Sequence, residues 1–138
     1  GAVAVGWSSP TGGVSTNDAH AFRWTQASGM VDLGTLGGTY SKANDTNADG
    51  SVVVGESQIT GDAATNAFRW TQETGMKDLN ALLAEAGVNM AGITLTSAYA
   101  LSGNGKFIVG QGNFPGVTER AFLVCYDHNN GCIGLTTG

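Results

Sequence analysis

Apolar residues in this chain fall in short runs and alternations broken by Gly, Asn, Asp and Thr. Ser51 to Ser57 carries Val52-Val53-Val54 at its centre and reads as a buried strand. Ala67 to Gln72 alternates, with Phe68 and Trp70 on one face and Arg69 and Thr71 on the other. Tyr40 to Asn44 and Met76 to Leu79 read as two further short strands. Asn47-Ala48-Asp49-Gly50 and Thr74-Gly75 are turn signals, and a Gly/Asp/Thr loop spans 58–65. Four short antiparallel strands joined by turns make up one propeller blade. The period changes only once. Leu79, Leu82, Leu83 and Ala86 share a helical face, which Asn80 can cap and Gly87 can end, so one short helix is predicted. Strands then resume at Ser97–Leu101, Phe107–Gly110 and Ala121–Tyr126, with a turn at Ser102-Gly103-Asn104-Gly105.

The pattern recurs. Ala21-Phe22-Arg23-Trp24-Thr25-Gln26 returns as Ala67-Phe68-Arg69-Trp70-Thr71-Gln72, and Gly29-Met30-Val31-Asp32-Leu33 as Gly75-Met76-Lys77-Asp78-Leu79, 46 positions on. A third copy begins at Arg120-Ala121-Phe122-Leu123. This period fits a four-stranded blade or a helical pair, and the strand-forming residues select the blade. The expectation is an all-β single repeat domain over 1–138, built of four-stranded antiparallel, β-propeller-like units with one short helix between repeats. The units are 1–38 (truncated), 39–91 and 92–138, the last atypical as terminal repeats commonly are. The opening Gly1-Ala2-Val3-Ala4-Val5-Gly6 matches the middle of a later repeat, Ser51-Val52-Val53-Val54-Gly55, so the chain is expected to be excised from something longer.

Ala19-His20-Ala21-Phe22-Arg23-Trp24, then Asp32-Leu33-Gly34-Thr35-Leu36-Gly37-Gly38 and a Val-Val-Gly-x-Ser strand, resemble the bacterial extracellular HAF repeat, named for His-Ala-Phe. The likeness covers essentially the whole chain and is best in the first unit. The second unit has Asn66 and the third Arg120 where the His is expected. The resemblance implies a secreted or surface-exposed bacterial protein, in some cases with an autotransporter barrel or a sorting tail. It implies no particular activity.

Composition narrows the function. Charged residues are 12% of the 138, hydrophobic residues 41%, and there are 22 glycines, so the surface is polar through hydroxyls and amides more than through charge. A net charge of −5 argues against nucleic acid and against an anionic membrane surface. No apolar run is long enough for a transmembrane helix. Cys125 and Cys132 have their midpoint between His128 and Asn129, so a two-residue hairpin turn would set them opposite each other. A disulfide there implies an oxidising compartment; the other reading is two reduced thiols near a turn.

The sharpest chemical motif is Asp45-Thr46-Asn47-Ala48-Asp49-Gly50, with Glu56 further on. It fits a calcium-loop pattern, with Asp45, Asn47 and Asp49 as ligands, though on a β-hairpin. The other reading is an ordinary Asn/Asp/Gly turn, and Leu101-Ser102-Gly103-Asn104-Gly105, the third unit's equivalent, has no carboxylate. No other cofactor is expected. His20 could pair with Ser15 or Asp18 in catalysis, but no Gly-x-Ser-x-Gly elbow exists and the next copy has Asn66, so a bond to neighbouring backbone is expected. His128 is expected to be solvated in its turn. Asp32 and Asp78 occupy equivalent positions too far apart to share one glycosidic bond, so closing a turn or pairing with an adjacent-strand Arg is the simpler role. Trp24 and Trp70 alternate with Phe22 and Phe68 as a core face, leaving Trp7 and the loop residue Phe114 as candidate exposed binding residues. The expected function is a non-catalytic, extracellular or cell-surface structural or adhesive repeat segment. Its partners would be other repeats, another copy, or a glycan or host-surface ligand. The alternatives are a lectin-like glycan binder, or a glycan- or ester-cleaving propeller module whose active residues lie elsewhere.

Overall fold

A computed structural model of the chain describes residues 2–9 and 18–137. The strands form three antiparallel sheets, each a meander in chain order. The first holds β1 (Val3–Ser8), β2 (His20–Thr25) and β3 (Gly29–Asp32). The second holds β4 (Gly37–Thr46), β5 (Val52–Ile59), β6 (Thr65–Thr71) and β7 (Gly75–Asp78). The third holds β8 (Thr94–Leu101), β9 (Phe107–Phe114), β10 (Val117–Asp127) and β11 (Cys132–Thr137). The all-β expectation is met, and among the described residues the sheets do not close into a ring or barrel.

Packing follows from strand alternation. Directly paired residues share a face, so Val53 and Trp70 point one way while Val54 and Arg69 point the other. On the first side, Val53 and Phe68 of the second sheet meet Ala21 and Leu33 of the first. On the other side, Val52, Val54 and Ala67 meet Leu95, Ala98, Ile108, Phe122 and Val124 of the third. β1 and β2 lie against β4, and β8 lies against β4, β5 and β6. Each sheet therefore hides its apolar face only because a neighbour covers it.

The same fit recurs inside each sheet. Gly6, Gly55 and Gly110 are paired with Phe22, Phe68 and Phe122. Gly55 and Gly110 also face Ala43 and Ala98 on the other side, next to register shifts in β4 and β8. The missing Cβ lets three strands and a ring approach closely.

The helix α1 (Leu79–Glu85) forms where the period changes, and buries Leu79 and Leu83. Each such side chain contributes about 1.5–3 kcal/mol of burial. Its cap is Asp78, whose carboxylate accepts from the Asn80 backbone N–H, and not Asn80 as the sequence predicts. Asn80 instead reaches the next sheet: its Oδ1 accepts from Leu95 N–H at 2.7 Å and its Nδ2 donates to the Leu95 carbonyl at 3.0 Å.

Cys125 and Cys132 form a disulfide, Cα to Cα 5.8 Å. They are not directly opposite. Asp127 pairs with Cys132 and Cys125 with Gly134, so the turn holds four residues and not two. The Asp127 carboxylate causes this, accepting from Asn129 N–H at 3.2 Å and from Asn130 Nδ2 at 2.7 Å.

Candidate functional site

The two histidine-position residues act alike. His20 Nδ1 lies 3.0 Å from the Asp32 carboxylate on the neighbouring strand, and Asn66 Nδ2 donates to Asp78 at 2.8 Å. Each carboxylate also accepts a backbone N–H two residues on, from Gly34 at 2.7 Å and Asn80 at 2.9 Å. The expected bond of His20 to backbone is therefore replaced by a side-chain pair, while the carboxylates do close turns as expected. This pairing ties the strand that opens each Phe-Arg-Trp-Thr motif to the exit from the unit. Ser15 lies outside the described residues. His128 is exposed and its Nε2 lies 2.9 Å from the Tyr126 hydroxyl.

The calcium-loop side chains are turned to backbone. Asp45 accepts from Leu101 N–H of the third sheet at 2.8 Å and from Thr46 N–H at 2.9 Å. Asn47 is buried, accepts from Val52 N–H at 2.9 Å and donates to Ser51 Oγ. Asp49 accepts from Ser51 N–H at 3.0 Å, and its hydrogen bonds to Ser51 hold its pKa below the usual value. Among the described residues no three His, Cys, Asp or Glu side chains converge as a metal site. The same side chains form a turn that also fastens one sheet to the next.

Trp7 is half-exposed on the side of the first sheet facing the second, with Lys42 Nζ 4.3 Å from its ring centroid. Phe114 corrects the sequence reading. It is not on an exposed loop but buried at the end of β9, in the core between the second and third sheets. Pro115-Gly116 alone makes the turn, Gly116 at φ 77° beside Val117 paired with Phe114, so the strand runs to the aromatic ring. Trp70 packs on the core as predicted, whereas Trp24 is 38% exposed because no other sheet among the described residues covers the outer side of its own.

Sequence reading alone missed the sheet junctions. Arg23 and Arg69 are repeat equivalents, each pointing at the next sheet. Arg23 Nε donates to the Gly50 carbonyl at 2.8 Å, with its guanidinium 5.8 Å from the Trp70 ring centroid. Arg69 lies 4.7 Å from the Tyr126 ring centroid, and its Nε is buried without a hydrogen-bond partner. Burial pushes the Arg69 guanidinium below its ordinary pKa, the Tyr126 hydroxyl acting weakly the other way. A cavity of about 460 Å³ opens beside it, between β6 and the β10–β11 turn. The sequence signal for these junctions is the repeat alignment, which puts Arg23 and Arg69 at one position.

Among the described residues no helix is long and apolar enough to cross a membrane. The chain matches no family model, no curated protein and no solved structure.

Proposed function

We propose that the chain is a non-catalytic structural and adhesive segment of an extracellular or cell-surface repeat protein, with propeller-like units that stack on further units of the same kind. One observation carries this reading. Phe107, Val109 and Leu123 form the outer side of the third sheet and are 42%, 42% and 40% exposed. Their equivalents in the second sheet, Val52, Val54 and Arg69, face the third sheet, and both valines are buried in that junction. On the outer side of the first sheet, Trp24 and Met30 are exposed, while their equivalents Trp70 and Met76 pack on the core. The two open sides therefore carry the same positions that the internal junctions bury, and one fits the other head to tail. Apolar sheet faces of this kind mark association surfaces. The disulfide agrees with an oxidising compartment, and the HAF-repeat resemblance agrees with a bacterial surface.

Light scattering after size exclusion tests the stacking. The expected result is concentration-dependent association that Val109→Glu abolishes. Appending one further copy of residues 39–91 should raise the melting temperature and cover one open side. A chain that stays monomeric at every concentration and gains nothing from the added unit would refute the reading.

A further inference from the structure

We infer that the cavity beside Arg69, at the junction of the second and third sheets, binds a small carboxylate-bearing ligand of the uronic-acid type. The inference supplies a ligand class for the adhesive half of the proposed function and does not rest on the stacking half, because the cavity is formed within one chain.

The argument starts from the two equivalent arginines. Arg23 satisfies its Nε on the Gly50 carbonyl. The corresponding turn of the third sheet gives Arg69 no such bond, and its Nε is left buried and unpaired. Buried polar groups are nearly always hydrogen-bonded, so an orphaned guanidinium nitrogen marks a side chain that the protein itself does not satisfy. Among the described residues, the ion pairs are His20 with Asp32 and Lys106 with Asp127, so Arg69 has no carboxylate of its own. The nearby positive charge is already neutralised, since Lys106 Nζ lies 2.9 Å from Asp127. That leaves Arg69 as the cation of the cavity that, among the described residues, holds no ion pair, and a planar fork matches a carboxylate with two parallel hydrogen bonds.

The remaining lining fits a sugar. Ser51, Thr71, Asn104 and Asn129 offer hydroxyl and amide groups, while the Tyr126 ring is already covered by Arg69. Mixed hydroxyl and amide groups suit a polyhydroxylated ring, and a volume of about 460 Å³ accommodates one or two such rings. The chain's net charge of −5 repels anions at long range. Binding therefore has to come from this local constellation and not from a general positive field.

Isothermal titration of the whole chain tests the site, with glucuronate, glucose and inorganic phosphate as separate probes. Glucuronate is expected to bind, glucose to bind far more weakly, and Arg69→Gln to weaken glucuronate about tenfold or more. Arg23→Gln, whose guanidinium is spent on Gly50, should leave the affinity unchanged. Glu73→Gln removes an exposed carboxylate from the cavity rim and should tighten glucuronate, which keeps the test decisive if Arg69→Gln does not fold. Equal affinity in Arg69→Gln, phosphate preferred over glucuronate, or no tightening in Glu73→Gln would overturn the inference. Equal binding of glucose and glucuronate would overturn it too, while leaving an adhesive role standing.

Discussion

Gly55→Ala, compared with Gly6→Ala, puts the unit architecture to its most direct test. The two glycines hold one repeat position, each paired with a phenylalanine. Their surroundings differ on the other side. A Cβ on Gly55 would fall onto the Lys42 carbonyl oxygen, 2.9 Å from Ala43 Cα and 2.8 Å from Phe68 Cε2. A Cβ on Gly6 would meet only the edge of the Phe22 ring, at 3.1 Å. A ring edge can tilt, whereas a carbonyl in a hydrogen-bonded neighbouring strand cannot. Overpacking of this kind costs about 1–3 kcal/mol and more when backbone must move, so about 3 kcal/mol is expected for Gly55→Ala. At Gly6 the small ring shift is offset by about 0.5–1 kcal/mol from the less flexible unfolded chain, and the net change is near zero.

For a domain of this size about 1 kcal/mol moves the melting temperature by roughly 4 °C, so Gly55→Ala should melt about 12 °C lower and Gly6→Ala close to wild type. Circular dichroism at a strand-sensitive wavelength reads both. A second substitution separates the causes: Phe68→Leu should not rescue Gly55→Ala, because the carbonyl clash remains. Equal melting temperatures for the two glycine variants, or full rescue by Phe68→Leu, would refute the claim that strand approach in a complete unit demands this glycine.

Three further outcomes follow from the same geometry. Asp45→Ala strands the Leu101 N–H at the sheet junction and should cost about 1–3 kcal/mol, while millimolar calcium leaves the wild-type melting curve where it is; a calcium-dependent rise would restore the metal reading. Asp127 is held below its ordinary pKa of 3.8 chiefly by its hydrogen bond to Lys106, so its stabilisation is present above 3.8 and is lost as pH falls through the lower folded value. The melting temperatures of wild type and Asp127→Asn should therefore differ at neutral pH and converge in acid; a gap that persists in acid would refute this. Cys125→Ser with Cys132→Ser should lower stability by about 2.5 kcal/mol in denaturant unfolding, since the bridge closes a short loop; no change would show that the turn holds itself.

Strand positions were legible because local chemistry decides them. Alternation at Ala67–Gln72 and the valines after Gly50 leave little freedom, and the helix follows from its spaced leucines. What escaped the sequence were choices made by a neighbour. Asp78 took the cap because its carboxylate is already held at Asn66, which frees Asn80 to bridge to Leu95. The cysteines slid out of direct opposition because Asp127 gathers two turn asparagines. Phe114 looked like loop because Pro115 follows it, yet a two-residue proline-glycine turn lets the strand run on. The backbone bonds of Asp45 and Asn47 were also out of reach, because carboxylates and amides serve ions and backbone with the same oxygens and spacing alone does not tell which.

The repeats also separate two kinds of position. Within a sheet the glycine and phenylalanine recur in all three units, and in the two four-stranded sheets three strands meet at that glycine. At the junctions residues diverge: His20, Asn66 and Arg120 share one place, and Gly50 and Gly105 head turns of different composition. Arg23 and Arg69 then become the informative case, because the residue is constant and only its surroundings change. One is consumed by a carbonyl, the other is left open beside a cavity. On the inference drawn for the Arg69 cavity, binding capacity would be a property of the seam between two units and not of the unit itself. A further repeat laid on the Phe107–Leu123 side would form a seam without either arginine, since Leu123 stands in that place, and would hold its neighbour by apolar contact alone.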